Sequence, residues 1–137
     1  MRGVLATIAA AMILVGRPVR AQSQADAAPG DTIFQDRSLS SWIADLKALA
    51  PVTRSAAAYA ISSMGPAAKP AVPALIEALQ NENEIPAVLY PIEVALREIG
   101  PAAEEAVPEL EQMADYRNED VAHMARKAIK AIEASNP

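Results

Sequence analysis

Gly65-Pro66-Ala67-Ala68-Lys69-Pro70-Ala71-Val72-Pro73-Ala74-Leu75 returns 35 positions later as Gly100-Pro101-Ala102-Ala103-Glu104-Glu105-Ala106-Val107-Pro108-Glu109-Leu110, with eight of the eleven positions identical. Each copy follows an apolar stretch with helical spacing. A period of this length marks a stacked-repeat architecture, in which each unit buries its apolar face only against its neighbours.

Working outward from the two copies, apolar residues recur at i, i+3, i+4 and i+7 in six blocks. The first holds Leu39, Trp42, Ile43, Leu46 and Leu49, and the second Ala57, Ala60, Ile61 and Met64. The third holds Val72, Leu75, Ile76 and Leu79, and the fourth Val88, Ile92, Ala95, Leu96 and Ile99. Val107, Leu110 and Met113 make the fifth, and Val121, Ala125, Ala128, Ile129 and Ile132 the sixth, with Met124 beside it. No block alternates with period two, which argues against a sheet. The predicted fold is all-α, with three antiparallel helix pairs stacked as a short α-solenoid. The domain spans 37–135, and its repeats run over about 38–65, 66–100 and 101–134.

The punctuation fits that division. Gly65 and Gly100 are placed to end helices as left-handed C′ residues, and Pro66 or Pro101 then cannot continue them. Pro73 and Pro108 fall at first-turn positions, where a missing N–H costs nothing. Ser38 or Ser40 can cap the first helix and Asn118 the sixth. Pro91 is discordant, because deep in a helix it would cost about 3 kcal/mol.

The N-terminus has the three parts of a secretory signal. Met1-Arg2-Gly3 is positive, Val4 to Val15 is apolar and uncharged, and Val19-Arg20-Ala21 offers small residues at −3 and −1. Residues 1–21 are expected to be removed, with a cut after Ala25 or retention as an anchor as the alternatives. Twelve apolar residues fall short of the roughly 20 that span a bilayer, so no stable membrane insertion is expected after cleavage. Export to the periplasm or the medium follows. Residues 22–36 carry few apolar side chains and read as a disordered leader.

Composition excludes several classes of chemistry. There is no cysteine, hence no disulfide and no thiolate site, and His123 is the single histidine. Removing the signal takes three of the twelve basic residues, leaving nine against seventeen acidic and a net charge of −8. Nucleic acid is therefore not an expected partner. No serine lies in a nucleophile motif, and the acidic pairs Glu82/Glu84 and Glu104/Glu105 lack the glycine of a calcium loop, reading as solvated turns. The chain is read as a non-enzyme with no catalytic residue, metal or cofactor.

The run Arg54-x-Ala56-Ala57-x-x-Ala60-Ile61-x-x-Met64-Gly65-Pro66-x-Ala68-x-x-Ala71-Val72-Pro73-x-Leu75-Ile76 closely resembles the short HEAT-repeat class first associated with phycobilin lyases. Leu39 to Leu46 resembles the opening helix of exported bacterial members. The likeness covers residues 35–134. It implies a stack whose second helices line a concave face, and an Asp–Arg ladder along the turns. Only Arg54 matches the ladder arginine, its equivalents being Leu89 and Ala122, so apolar packing is expected to carry the stack.

Aligning the second helices gives the columns Ser55/Tyr90/His123, Ala58/Glu93/Arg126, Tyr59/Val94/Lys127 and Ser62/Arg97/Lys130, all expected to point outward. The candidate partner-binding residues are Arg54, Tyr59, Tyr90, Arg97, Arg126, Lys127 and Lys130, a basic ridge with two tyrosines. The expected partner is a protein or peptide, an acidic one fitting the ridge, and the expected role is an envelope scaffold. An accessory or lyase-like subunit of an enzyme system and a structural spacer are the alternatives.

Overall fold

A computed structural model of the chain describes residues 29–134, so the signal-peptide reading and residues 22–28 of the expected leader lie outside the described residues. The fold is all-α. Its helices are α1 (Leu39–Asp45), α2 (Pro51–Met64), α3 (Val72–Leu79), α4 (Pro86–Ile99), α5 (Val107–Met113) and α6 (Glu119–Glu133). They pair as α1/α2, α3/α4 and α5/α6. The second helices form the centre of the stack, with α2 on α4 and α4 on α6.

The repeated motif adopts the same structure twice. Gly65–Ala71 and Gly100–Ala106 are 3-10 segments that lead into α3 and α5. Gly65 and Gly100 do take positive φ, +57° and +71°, but their ψ values are −138° and −140°. That is not the left-handed helical cap expected from the sequence but an extended mirror-image conformation, essentially reserved for glycine. The identities between the copies track burial. Ala68, Ala71 and Leu75, and likewise Ala103, Ala106 and Leu110, have no accessible surface. The positions that differ, 69, 70 and 74 against 104, 105 and 109, are exposed or half-buried. The shared prolines are exposed and act on the backbone: Pro73 and Pro108 occupy the first turns of α3 and α5.

Pro91 lies inside α4, which begins at Pro86. Its missing N–H frees the carbonyl of Ala87, four residues back. The Ser55 hydroxyl of the preceding repeat donates to that oxygen at 3.2 Å. The helix therefore tolerates its proline with help from across the stack.

The end of the expected leader is ordered. Ile33–Phe34 (β1) pairs antiparallel with Arg37–Ser38 (β2) across Gln35 and Asp36, both at positive φ (51° and 60°). Two-residue strands carry no readable periodicity, and the turn uses a mirror-image geometry that matches strand twist. Ser38 caps α1 by accepting from the Ser41 N–H, while Ser40 instead donates to Asp31 at 2.6 Å. The Trp42 indole donates to the Phe34 carbonyl, and the Arg37 guanidinium lies 3.8 Å from the ring centroid while reaching Asp45. The hairpin thus closes over the first repeat, with Phe34 packed on the core and Ile33 exposed. Leu49, expected on the apolar stripe, is 99% exposed because α1 ends at Asp45 and leaves it on the turn.

Candidate functional site: the second-helix face

Tyr59 on α2 is 48% exposed, and Tyr90 on α4 is half-buried. Tyr90 borders a depression of about 510 Å³ together with Tyr59. Pro86 and Ala87 in the first turn of α4 line it on the same side. Asn118, Asp120 and Val121 at the start of α6 line the other. Asn118 is held there because its side chain caps α6, accepting from the N–H groups of Asp120 and Val121. Ala87 is small enough to leave space beside Tyr90. Tyr59 also borders a second depression of about 280 Å³, shared with Phe34, Trp42 and Ala56 beside the hairpin. The two depressions therefore meet at Tyr59.

The expected basic ridge is reorganised. Arg54 does not face outward. Its guanidinium donates to both oxygens of Glu84 at 2.7 and 2.8 Å and to the carbonyls of Ala48 and Leu49. The Glu84 side chain is 2% exposed, so this acid is not the solvated turn residue it resembles in sequence. Burial alone would push the Glu84 carboxyl up, but hydrogen bonds from Arg54 and the Ile85 N–H, with the charge of Arg54, hold it below its ordinary range. The hydrogen bond to Glu84 in turn raises Arg54. One rung of a charged ladder thus joins the first and second repeats, with a glutamate from the turn of the next repeat as its acid.

The other cations divide in two. Arg97 is paired with Glu98 and reaches the Met124 sulfur, and Arg126 bonds to Glu119 and the Ala114 carbonyl at 2.7 and 2.6 Å. Lys127 and Lys130 on α6 are exposed and form no ion pair among the described residues. His123 is exposed beside them. The Ala58/Glu93/Arg126 column does not point outward as expected: Ala58 and Glu93 have no accessible surface. Neither oxygen of Glu93 has a hydrogen-bond partner among the described residues, and burial pushes its carboxyl up to about 9.

A further cleft of about 500 Å³ lies at the turn edge between α1 and α3, beside the Lys47–Glu77 and Arg54–Glu84 pairs. Its charges are matched internally. Among the described residues no group of three or more His, Asp or Glu is placed to hold a metal ion, and no helix is long and apolar enough to cross a membrane.

Residues 53–81 match the family model described as the PBS lyase HEAT-like repeat. The matched segment runs from the start of α2 through the 3-10 segment and α3, the same stretch that carries Arg54, Gly65 and Leu75. This segment is a HEAT-like repeat of that class. The second copy of the motif and the hairpin cap extend the HEAT-like stack on both sides of the matched unit. No curated protein and no solved structure matches the chain.

The tyrosines and the two lysines on this HEAT-like stack were legible as a pattern in the sequence. Pro86, Ala87, Asn118 and Asp120 were not, since a groove between two helices depends on how far each begins along the stack.

Proposed function

We propose that the protein is a non-catalytic interaction module of the cell envelope that holds a protein partner on its second-helix face. HEAT-like repeats generally mediate protein interactions, and the observation that carries the reading is the groove at Tyr59 and Tyr90. Its aromatic walls offer apolar area at low entropic cost, with Lys127 and Lys130 exposed on the neighbouring helix. The turn-edge cleft supports no comparable reading, because its ion pairs satisfy one another. Export, suggested by the N-terminal sequence, would place the partner in the envelope or outside the cell.

The test compares two pairs of charge reversals in affinity capture from an envelope extract. Lys127→Glu with Lys130→Glu should lose the captured partner while helix content and melting temperature stay nearly unchanged, since exposed charges contribute little to folding. Glu82→Lys with Glu105→Lys, on exposed turns, should retain it. Equal behaviour of the two pairs would remove the face from consideration.

A further inference from the structure

Resting on that reading of the face, we infer that its ligand is an extended peptide segment with a proline or aliphatic anchor and a carboxylate three to five residues away. The groove selects the anchor. Tyr59 and Tyr90 give it aromatic walls, and Pro86, Ala87 and Val121 add apolar contacts, an arrangement suited to the preformed extended chains that proline favours.

Charge sets the spacing. Asp120 stands at the groove itself, so an acidic residue next to the anchor is repelled there. Seven and ten residues further along the same helix, Lys127 and Lys130 are exposed and unpaired among the described residues. At ~1.5 Å per helical residue these ammonium groups stem from positions ~10 and ~15 Å beyond Asp120. An extended chain covers ~3.3 Å per residue, so a carboxylate three to five residues from the anchor reaches them. Arg97 flanks this end of the face on α4 and is paired with Glu98, whereas the lysines have no ion pair among the described residues. The chain is acidic overall, yet the stretch of α6 beyond the groove exposes these two lysines, which is what makes an acidic arm selective.

Panning the chain against a random dodecapeptide library displayed on phage tests this directly. The expected result is a consensus of a proline or aliphatic residue followed, or preceded, at three to five positions by Asp or Glu. Those clones should bind at least tenfold more weakly to the Lys127→Glu/Lys130→Glu variant, and should weaken as salt rises. Binding should also be lost in Tyr59→Ala, an exposed position whose change leaves the fold intact. A consensus without an acid, insensitive to the lysine reversals but lost in Tyr59→Ala, would overturn the ligand class and leave the face standing. Binders indifferent to Tyr59 and to both lysines would overturn the face as well. A library that yields no binder would overturn the peptide ligand.

Discussion

Glu93 sits in the middle of α4 with no accessible surface and no partner for either oxygen among the described residues. Burying an unpaired carboxylate is so unfavourable that the group keeps its proton, which is why its value rises from 4.5 to about 9. Between those values the folded chain holds a proton that the unfolded chain releases. The stability this residue permits is therefore full below 4.5 and declines as pH rises towards about 9. Near pH 7 the difference amounts to about 3 kcal/mol. Glu84 acts with the opposite sign: its lowered value makes the Arg54 pair stabilising above the ordinary carboxylate range and lost in acid. Urea unfolding at several pH values should show wild-type stability falling from about pH 5 to 9, and Glu93→Gln should flatten that slope. An equally steep slope in Glu93→Gln would assign the dependence to another group. The sequence hid both acids. A glutamate in a helix or turn reads as solvated, and only the neighbouring repeat decides whether it is covered.

At the scale of the element, helix α4 is the case where local sequence and tertiary context disagree. Pro91 argues against a continuous helix, yet Pro86–Ile99 is one helix, with Pro91 buried inside it. The Ser55 hydroxyl, one repeat away, occupies the carbonyl that the proline leaves free. Ser55→Ala should lower stability by about 0.5–1.5 kcal/mol, the net worth of such a hydrogen bond. In a Pro91→Ala background the alanine N–H can take the same carbonyl, so the effect of Ser55→Ala should shrink, a coupling that a double-mutant cycle measures. Equal losses in both backgrounds would show that Ser55 does not serve the proline. Most element limits were legible, because glycine, proline and apolar spacing act within a few residues. The β1–β2 hairpin was not, since two residue pairs give no period and its order depends on Trp42, Ser40 and Asp45 beneath it.

For the whole molecule, the stack of three pairs was written into the duplicated Gly-Pro-x-Ala motif, in which Ala68, Ala71 and Leu75, and likewise Ala103, Ala106 and Leu110, are the buried contacts. The shape of the second-helix face was not. It depends on Arg54 turning into the stack to meet Glu84, on Arg97 and Arg126 being occupied by nearby acids, and on the space that Ala87 leaves beside Tyr90. What remains is a face with aromatic walls at one end and, at the other, two exposed lysines without an ion pair among the described residues. Hydroxyl-radical footprinting of the protein, alone and with its captured partner, tests this account most directly, because it reads the exposure of side chains rather than of the already protected helical backbone. The account predicts that Tyr59, Tyr90 and His123 lose reactivity in the complex while Met113 and Tyr116, on the first-helix side, keep theirs. Protection of Met113 and Tyr116 with Tyr59 and Tyr90 unchanged would contradict it.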